Sequence, residues 1–269
     1  ASIDESAAAW GIDPERVLGG SSAARGGPED GLRPARTAIV RLDRIRQRLA
    51  ERAAEPSLDE GLPAAERGAV DLSADAYGHG AARLLPLVVA AGLRPLVRRR
   101  ADAIVLAALG AGEVPVVADP HPATRGVYLR PPGVPEYAPL LPVMRLQSEL
   151  VLVKRVAAGQ GVSYGYLWRA DRATELGLVP FGYADGLPRR ATGRISVRIV
   201  DAVHPVVGRV AMDQCVAELR DTDAWVGDAV VLFGEEGPTL EEWAEAAGLS
   251  PLAATASLGA RVEVRWEEP

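Results

Sequence analysis

The sequence predicts a mixed fold in which an α/β portion is followed by a β-rich domain. In the first half, short apolar runs alternate with stretches in which apolar residues recur every three or four positions, a pattern typical of alternating strands and helices. From Met144 onward, short apolar runs follow one another closely with glycine or proline between them. Strands this short indicate a small antiparallel barrel or sandwich.

Composition divides the chain into three segments. Residues 1–35 are rich in Gly, Ala, Ser and Pro without a sustained period, so we expect a flexible tail. Residues 36–143 carry the α/β pattern, and residues 144–269 carry the β-rich pattern. At 269 residues, the chain is long enough to bury a sizeable core.

The α/β portion opens with a predicted strand, residues 38–40, and an amphipathic helix. The apolar stripe of that helix includes Leu42, Ile45 and Leu49, and arginines occupy its other face. A second short strand, residues 69–72, precedes a glycine-containing turn and a further helix. This order of elements is typical of a βα repeat.

Two helices are predicted near the end of the β-rich domain. Thr239 and Glu242 have the spacing of a capping box, which begins a helix that Gly248 ends. Ser250 and Pro251 then begin the second helix.

Charge and composition exclude several classes of protein. The formal net charge of −6 argues against a nucleic-acid surface, which would need a basic stripe. The single Cys215 excludes an internal disulfide framework, and the three histidines lack metal-ligand spacing, so we expect no metal site. No apolar run is long enough to cross a bilayer, and residues 1–35 do not read as a secretory signal. We therefore expect a cytoplasmic protein without nucleic-acid or membrane partners.

Six motifs stand in a fixed order along the chain. The first, at residues 73–80, reads Ser-Ala-Asp-Ala-Tyr-Gly-His-Gly. The others are Leu-Val-Lys-Arg-Val at 152–156, Gly-Val-Ser-Tyr-Gly at 161–165, Gly-Tyr-Ala-Asp-Gly at 182–186, Val-Gly-Arg-Val-Ala-Met-Asp-Gln at 207–214 and Leu-Gly-Ala-Arg-Val at 258–262. Together they resemble the alanine racemase family, whose first motif begins with lysine where this chain has Ser73. Several ordered matches are far more specific than one short motif.

This resemblance refines the predicted fold. The family's N-terminal domain is a (β/α) barrel, and a complete barrel takes roughly 250 residues and rarely fewer than about 200. This chain has 143 residues before Met144. We therefore expect an abbreviated, barrel-derived N-terminal portion followed by an alanine-racemase-like C-terminal β-barrel domain.

The resemblance also assigns a cofactor position. In the family, the lysine of the first motif holds pyridoxal phosphate as a Schiff base, whereas a serine hydroxyl cannot form an imine. We therefore expect no cofactor in this chain. Its one lysine, Lys154, matches a family lysine that does not bind the cofactor, so we expect a structural or solvated role for it.

Further site residues are implied by the same matches. Tyr164 corresponds to the second catalytic base, which acts from the partner subunit on the face opposite the lysine. Met212 and Asp213 correspond to residues on the substrate-carboxylate side, and Tyr183 lies in the loop at the subunit interface and site entry. Tyr77 corresponds to the tyrosine that touches the cofactor phosphate. Each has a structural alternative: a turn tyrosine, a core methionine or a turn aspartate.

Two other residues of possible chemical interest have structural interpretations. His79 is interpreted as a turn histidine, and Cys215 as a small buried apolar residue.

Several functions are compatible with these features. The favoured hypothesis is a homologue without racemase activity that acts through dimerisation, either as a homodimer or as a heterodimer with a full-length racemase that it serves in trans. The alternatives are a functional pyridoxal-phosphate-dependent alanine racemase, an enzyme with a rebuilt site that needs no pyridoxal phosphate, and an inactive relic.

Overall fold

The computed structural model describes residues 36–54, 67–117, 127 and 142–268. The predicted flexible tail, residues 1–35, lies outside this range. The described residues divide into two compact units. The β unit comprises residues 36–38, 145–250 and 258–263, and the α/β unit comprises residues 39–144, 251–257 and 264–268.

The first part of the chain alternates strands with helices, as predicted. Its elements are β1 (Thr37–Arg41), α1 (Leu42–Ala54), β2 (Ala69–Asp71), α2 (Ser73–Gly78), α3 (Ala81–Ala90), β3 (Arg94–Leu96), α4 (Arg100–Leu106) and a π-helical turn (Ala107–Ala111). Strands β2 and β3 are parallel and pair Val70 with Pro95. A parallel bridge from Val97 to Val116 continues this pairing beyond β3. This is the expected remnant of a barrel made of parallel strands.

Helix α1 differs from its prediction on one face. The apolar stripe that includes Ile45 and Leu49 is buried as expected, but Arg44, Arg48 and Arg52 are buried as well. Long aliphatic stems allow arginine to cover apolar surface while the guanidinium finds a polar partner. Arg44 illustrates this, because its Nη1 donates a hydrogen bond of 2.6 Å to the carbonyl of Pro142.

The second part of the chain is built mainly of short strands. They are β4 (Met144–Glu149), β5 (Leu152–Val156), β6 (Gly161–Val162), β7 (Trp168–Arg169), β8 (Thr174–Val179), β9 (Ser196–Ile199), β10 (Ala202–Val207), β11 (Cys215–Arg220), β12 (Ala229–Phe233) and β13 (Glu263–Glu267). Seven of them follow the order β4-β12-β9-β10-β11-β8-β5. All six pairings in this order are antiparallel, and β6 and β7 form a separate hairpin. The predicted antiparallel β domain is therefore confirmed.

The helices near the C-terminus are α5 (Leu240–Ala247) and α6 (Pro251–Ala256). The capping box of α5 is present: Thr239 Oγ1 accepts a hydrogen bond from the amide of Glu242, and the Thr239 amide donates to the Glu242 carboxylate. Gly248 ends the helix with φ of 66°. Trp243 of α5 packs its ring against Phe233, with the centroids 5.3 Å apart, and both side chains are buried in the core of the β unit.

A membrane-spanning helix is not found among the described residues, since none of their helices is long and apolar enough.

Candidate functional site

Ser73, at the position of the family's lysine, is enclosed in the α/β unit. It follows β2 directly, and only 4% of the residue is exposed. Its Oγ donates to Asp71 Oδ1 at 2.6 Å and accepts from the amide of Arg98 at 2.7 Å. Its own amide also donates to Asp71, at 3.0 Å. The Ser73 hydroxyl is therefore fully used in local hydrogen bonds.

Asp71 is the centre of this cluster. Its Oδ2 accepts hydrogen bonds from Arg98 Nε at 2.7 Å and from the hydroxyl of Tyr77 at 2.6 Å. The sequence analysis identified Ser73 and Tyr77 but missed Asp71 and Arg98. Asp71 could have been found from its position at the end of an otherwise apolar strand. A carboxylate buried there requires a polar or charged partner. We call Asp71, Ser73, Tyr77 and Arg98 the aspartate cluster.

Tyr77 is held in its neutral form by the aspartate cluster. Burial raises the pKa of its phenol, and the hydrogen bond to Asp71 raises the pKa further, since a proton given to a carboxylate is hard to remove. A phosphate contact from this hydroxyl would compete with the bond to Asp71. The role that the resemblance implies for Tyr77 therefore requires the cluster to open.

The backbone of α2 is left-handed. Residues 74–77 have φ between 50° and 56°, the region that side chains with a Cβ rarely adopt. Local hydrogen bonds hold it: the amide of Ala81 donates to Asp75 Oδ1 at 2.7 Å, and the amide of Gly80 donates to the Asp75 carbonyl at 3.0 Å. Gly78 follows with φ of 81°, where an added Cβ would meet the carbonyl oxygen of Thr255. The motif thus encodes a specific turn.

His79 is a structural part of that turn, in agreement with its interpretation from the sequence. Its Nδ1 donates to the Ala76 carbonyl at 3.0 Å, and Trp266 Nε1 donates to the His79 carbonyl at 2.9 Å. Complete burial lowers the pKa of the imidazole to about 4, because desolvation disfavours its charged form. His79 is therefore neutral near pH 7.

Tyr164 lies in the loop between β6 and β7 in the β unit, and 72% of it is exposed. The loop is held by Ser163, which has φ of 60° and whose Oγ donates to the Arg209 carbonyl at 2.7 Å. The Arg209 guanidinium lies 5.6 Å from the centre of the Tyr164 ring, within the range of a cation–π contact. The contact with Arg209 therefore orients the Tyr164 ring, and the rest of the side chain is open to solvent.

Met212 and Tyr183 are brought together in the same unit. The amide of Tyr183 donates to the Ala211 carbonyl, and the amide of Ala184 donates to the Met212 carbonyl, each at 3.0 Å. Met212 is 53% exposed and Tyr183 is also exposed. The structural alternative of a core methionine is therefore wrong, because the segment pairs through its backbone and leaves the Met212 side chain outside.

Ion pairs of Arg36 and Arg261 stabilise the segments that carry Tyr183 and Met212. Asp185, which is fully buried, forms ion pairs with Arg36 Nε at 3.1 Å and Arg261 Nη2 at 2.9 Å. Arg261 Nη1 reaches the Asp213 carboxylate at 2.6 Å. Asp213 is thus tied to Asp185 through one guanidinium. The sequence analysis did not identify Asp185, Arg36 or Arg261 as parts of one network, because they lie far apart in the chain.

The remaining candidate residues lie outside this network. Cys215 is buried, which raises the pKa of its thiol to about 12 and confirms its interpretation as a small apolar residue. His204 is also buried and its Nδ1 donates to the Glu218 carbonyl. His121 lies outside the described residues. Within the described ranges, no group of acidic, His or Cys side chains could hold a metal ion.

Comparisons with known proteins agree with the motifs. Residues 143–266 match the family model "Alanine racemase, C-terminal domain". The chain is 42% identical over 175 residues to the alanine racemase of Streptomyces coelicolor, a match that covers 64% of this chain and 44% of that enzyme. It is 46% identical over 127 residues to the alanine racemase of Beutenbergia cavernae, covering 46% of this chain and 34% of that enzyme.

Solved structures share the fold at lower identity. The alanine racemase of Clostridium difficile 630 superposes with a TM-score of 0.71 and 20% identity, covering 89% of this chain and 97% of that one. The alanine racemase of Bartonella henselae gives a TM-score of 0.71 and 17% identity, covering 87% and 99%.

The fold and the site residues together define a protein with an alanine-racemase C-terminal domain. The chain belongs to the alanine racemase family. In the two sequence matches given above, it spans less than half the length of the relative.

One expectation from the sequence is contradicted. We expected no cofactor, but the Bartonella henselae racemase, which has the same fold, contains covalently bound pyridoxal phosphate. The aspartate cluster nevertheless does not fit covalent attachment at Ser73, since its hydroxyl cannot take the role of an amine and is bonded to Asp71. Residue 73 of this chain therefore lacks the amine through which the family's cofactor is attached.

Proposed function

We propose that this chain is a partner subunit of a pyridoxal-phosphate-dependent alanine racemase and that its β unit supplies Tyr164 to the partner's active site. The observation that carries the proposal is the exposure of Tyr164, the residue matched to a catalytic base, in a chain that has no amine at position 73. Such a chain retains one of the two groups that a two-base racemisation requires.

The surface around Tyr164 supports a docking role. The exposed large side chains of the β unit include a group carried by three neighbouring segments, which we call the tyrosine face: Tyr164, Tyr166, Leu167, Tyr183 and Met212. Tyrosine and methionine are enriched in protein interfaces. The proposed occupant is a full-length racemase of the same family.

The segments of the tyrosine face are also held in place before any partner binds. Ser163 ties the Tyr164 loop to Arg209, and the backbone bonds from Tyr183 and Ala184 tie their turn to the Met212 segment. A surface that is ordered in advance loses less conformational entropy on association.

The chemical role assigned to Tyr164 is proton transfer. When bound, pyridoxal phosphate stabilises the negative charge that develops as an amino acid loses its α-proton. The phenol of Tyr164 would hold or return a proton on one face of the substrate, and Met212 would line the side of the substrate carboxylate. A group on the opposite face would have to come from the partner, as Ser73 has no amine.

A complementation experiment tests the proposal. The Streptomyces coelicolor racemase would be inactivated by replacing its own tyrosine at the position matching Tyr164 with phenylalanine. Mixing it with this chain is expected to restore conversion of L-alanine to D-alanine and to give co-elution of the two chains. Tyr164→Phe in this chain should abolish the rescue, whereas the matched control Tyr166→Phe should retain it.

Two results would refute the proposal. One is the absence of both co-elution and rescue with folded proteins. The other is racemisation of alanine by this chain alone, which would support the alternative of a self-sufficient racemase.

A further inference from the structure

Two arginine side chains lie against exposed tyrosine rings of the tyrosine face. The Arg209 guanidinium is 5.6 Å from the centre of the Tyr164 ring, and the Arg169 guanidinium is 5.9 Å from the centre of the Tyr166 ring. Both distances are within the range of a cation–π contact. The two tyrosines are 72% and 63% exposed, so each pair lies at the surface of the β unit.

The hairpin of β6 and β7 positions the pair of Arg169 and Tyr166. Gly161 of β6 pairs with Arg169 of β7 across the two strands. A Cβ at Gly161 would clash with the Tyr166 ring, so the absence of a side chain there leaves the space that the ring occupies. The ring and the guanidinium therefore meet beside Gly161, at a point that the strand register fixes.

The pair of Arg209 and Tyr164 depends on the contact between this hairpin and the segment that carries Arg209. The Ser163 hydroxyl donates to the Arg209 carbonyl at 2.7 Å, and a Cβ at Gly208 would clash with the Ser163 side chain. A Cβ at Gly165 would lie 3.4 Å from the guanidinium carbon of Arg209. The two glycines thus permit the close approach that places the Arg209 side chain beside the Tyr164 loop.

Neither arginine has an acidic partner among the residues that the structure describes. Arg169 donates from Nη1 to the Gly159 carbonyl at 3.0 Å. The guanidinium of Arg209 makes no hydrogen bond or ion pair with any described residue. Because a guanidinium contacts a ring through its flat face, the N–H donors along its edge stay available.

The two segments that carry these pairs contain no acidic residue. Residues 157–170 and 203–212 include two arginines and neither aspartate nor glutamate. Asp171 and Asp213 follow them directly; Asp213 is already paired with Arg261 at 2.6 Å, and Asp171 forms no ion pair with either arginine. The two segments therefore carry a positive charge, in a chain whose net charge is −6.

We propose that Arg169 and Arg209 dock the tyrosine face onto acidic side chains of the partner subunit. This rests on the proposed function, which makes that partner a full-length racemase. A guanidinium binds a carboxylate through charge-assisted N–H···O bonds, and its planar edge suits that geometry. Stacking on tyrosine holds each guanidinium before the partner binds, which reduces the conformational entropy lost on association. Two guanidinium groups on separate segments fit the acidic residues of a protein surface better than one small carboxylate.

The salt dependence of association tests the proposal. The concentration of this chain that gives half-maximal co-elution with the Streptomyces coelicolor racemase would be measured at about 50 and about 300 mM NaCl. Affinity is expected to fall about tenfold over this range, because salt screens charges at the surface. The double variant Arg169→Gln/Arg209→Gln should bind about tenfold more weakly at low salt and should lose most of the salt dependence.

Two further variants separate charge from geometry. Arg209→Lys keeps the charge but not the planar group, so it should keep the salt dependence and bind more weakly than the wild type. Arg172→Gln is the matched control. It removes an exposed arginine that is already paired with Asp221, and it should leave both affinity and salt dependence unchanged. Urea midpoints of all variants would verify that the β unit is intact.

The possible failures are distinguishable. Equal affinity and equal salt dependence in the wild type and the double variant would overturn the docking role of the arginines and leave the proposed function in place. Absence of any association by the wild type would overturn both. A higher KM for alanine in the rescue assay, with unchanged association, would also overturn the proposal, because it would assign the arginines to the carboxylate of the substrate.

Discussion

The carboxylate of Asp71 and the guanidinium of Arg98 form an ion pair of 2.7 Å within the α/β unit, with side-chain exposures of 1% and 11%. The same carboxylate receives the hydroxyls of Ser73 and Tyr77. Both charges are removed from water, so each depends on the other for its stability in the fold. This pair occupies the immediate surroundings of the residue that replaces the family's lysine.

Replacing Asp71 with asparagine should strongly destabilise the α/β unit. The change keeps the side-chain volume but leaves Arg98 as a buried charge without its counter-ion, a change that typically costs about 3–5 kcal/mol. Urea unfolding followed by circular dichroism measures the loss. The control is Glu268→Gln, which breaks the exposed pair with Arg46 and should not shift the unfolding midpoint measurably. Equal midpoints for both variants would contradict the assigned importance of the Asp71–Arg98 pair.

Lowering the pH should reduce the free energy of unfolding of the α/β unit, because His79 is protonated more readily in the unfolded chain. Burial lowers the pKa of this imidazole from 6.5 to about 4, so the unfolded chain takes up the proton first as the pH falls. The contribution of His79 to the free energy of unfolding is therefore fully present above pH 6.5. It falls by an amount on the order of 3 kcal/mol as the pH drops from 6.5 to about 4.

The variant His79→Asn isolates this effect from the titration of carboxylates. Asparagine can donate to the Ala76 carbonyl as Nδ1 does, but it does not titrate. Urea midpoints measured from pH 7 to pH 4 should therefore fall less steeply in the variant. Parallel curves for the two proteins would be inconsistent with a buried neutral histidine.

The thiol of Cys215 should be inert in the folded protein. Burial raises its pKa to about 12, and the thiolate is the reactive form. Iodoacetamide at pH 8 should leave the folded chain unmodified and should add one carbamidomethyl group in urea, as measured by intact mass. A control variant, Cys215→Ala with Asp221→Cys, places the thiol at an exposed position and should react without denaturant.

An amine restored at position 73 should allow covalent attachment of pyridoxal phosphate there. The test compares Lys154→Arg, which has no lysine, with Lys154→Arg/Ser73→Lys. After incubation with pyridoxal phosphate and reduction with borohydride, only the second variant should give a modified peptide containing residue 73. The physical reason is the difference between an amine and a hydroxyl as nucleophiles toward an aldehyde. A folded double variant without the modification would show that the aspartate cluster also blocks access.

The sequence predicted correctly those helices and strands whose boundaries depend on residues close together in the chain. The Thr239–Glu242 box and Gly248 bounded α5 correctly, because capping depends on residues three or four positions apart. Closely spaced apolar runs identified the antiparallel domain for a similar reason, since the strands and their turns are short.

Contacts between distant parts of the chain were not predictable in the same way. Asp71 and Arg98 are separated by 27 positions, and nothing in their immediate neighbours marks them as partners. Met212 belongs to a motif that fits a core residue equally well, and only its backbone pairing places the side chain in solvent. The arginines of α1 were assigned to a polar face because periodicity does not reveal which side chains lie under other segments.

The left-handed turn at residues 74–77 gives the motif at residues 73–80 a conformational role. Right-handed backbone is favoured over left-handed by roughly 1–2 kcal/mol per residue, so four such residues in succession need many compensating bonds. Asp75, Gly78, His79 and Gly80 supply or permit those bonds, and none of them requires the lysine. Half of the eight residues of the motif therefore stabilise or permit a backbone conformation, and this part of the resemblance to the family carries no information about catalysis.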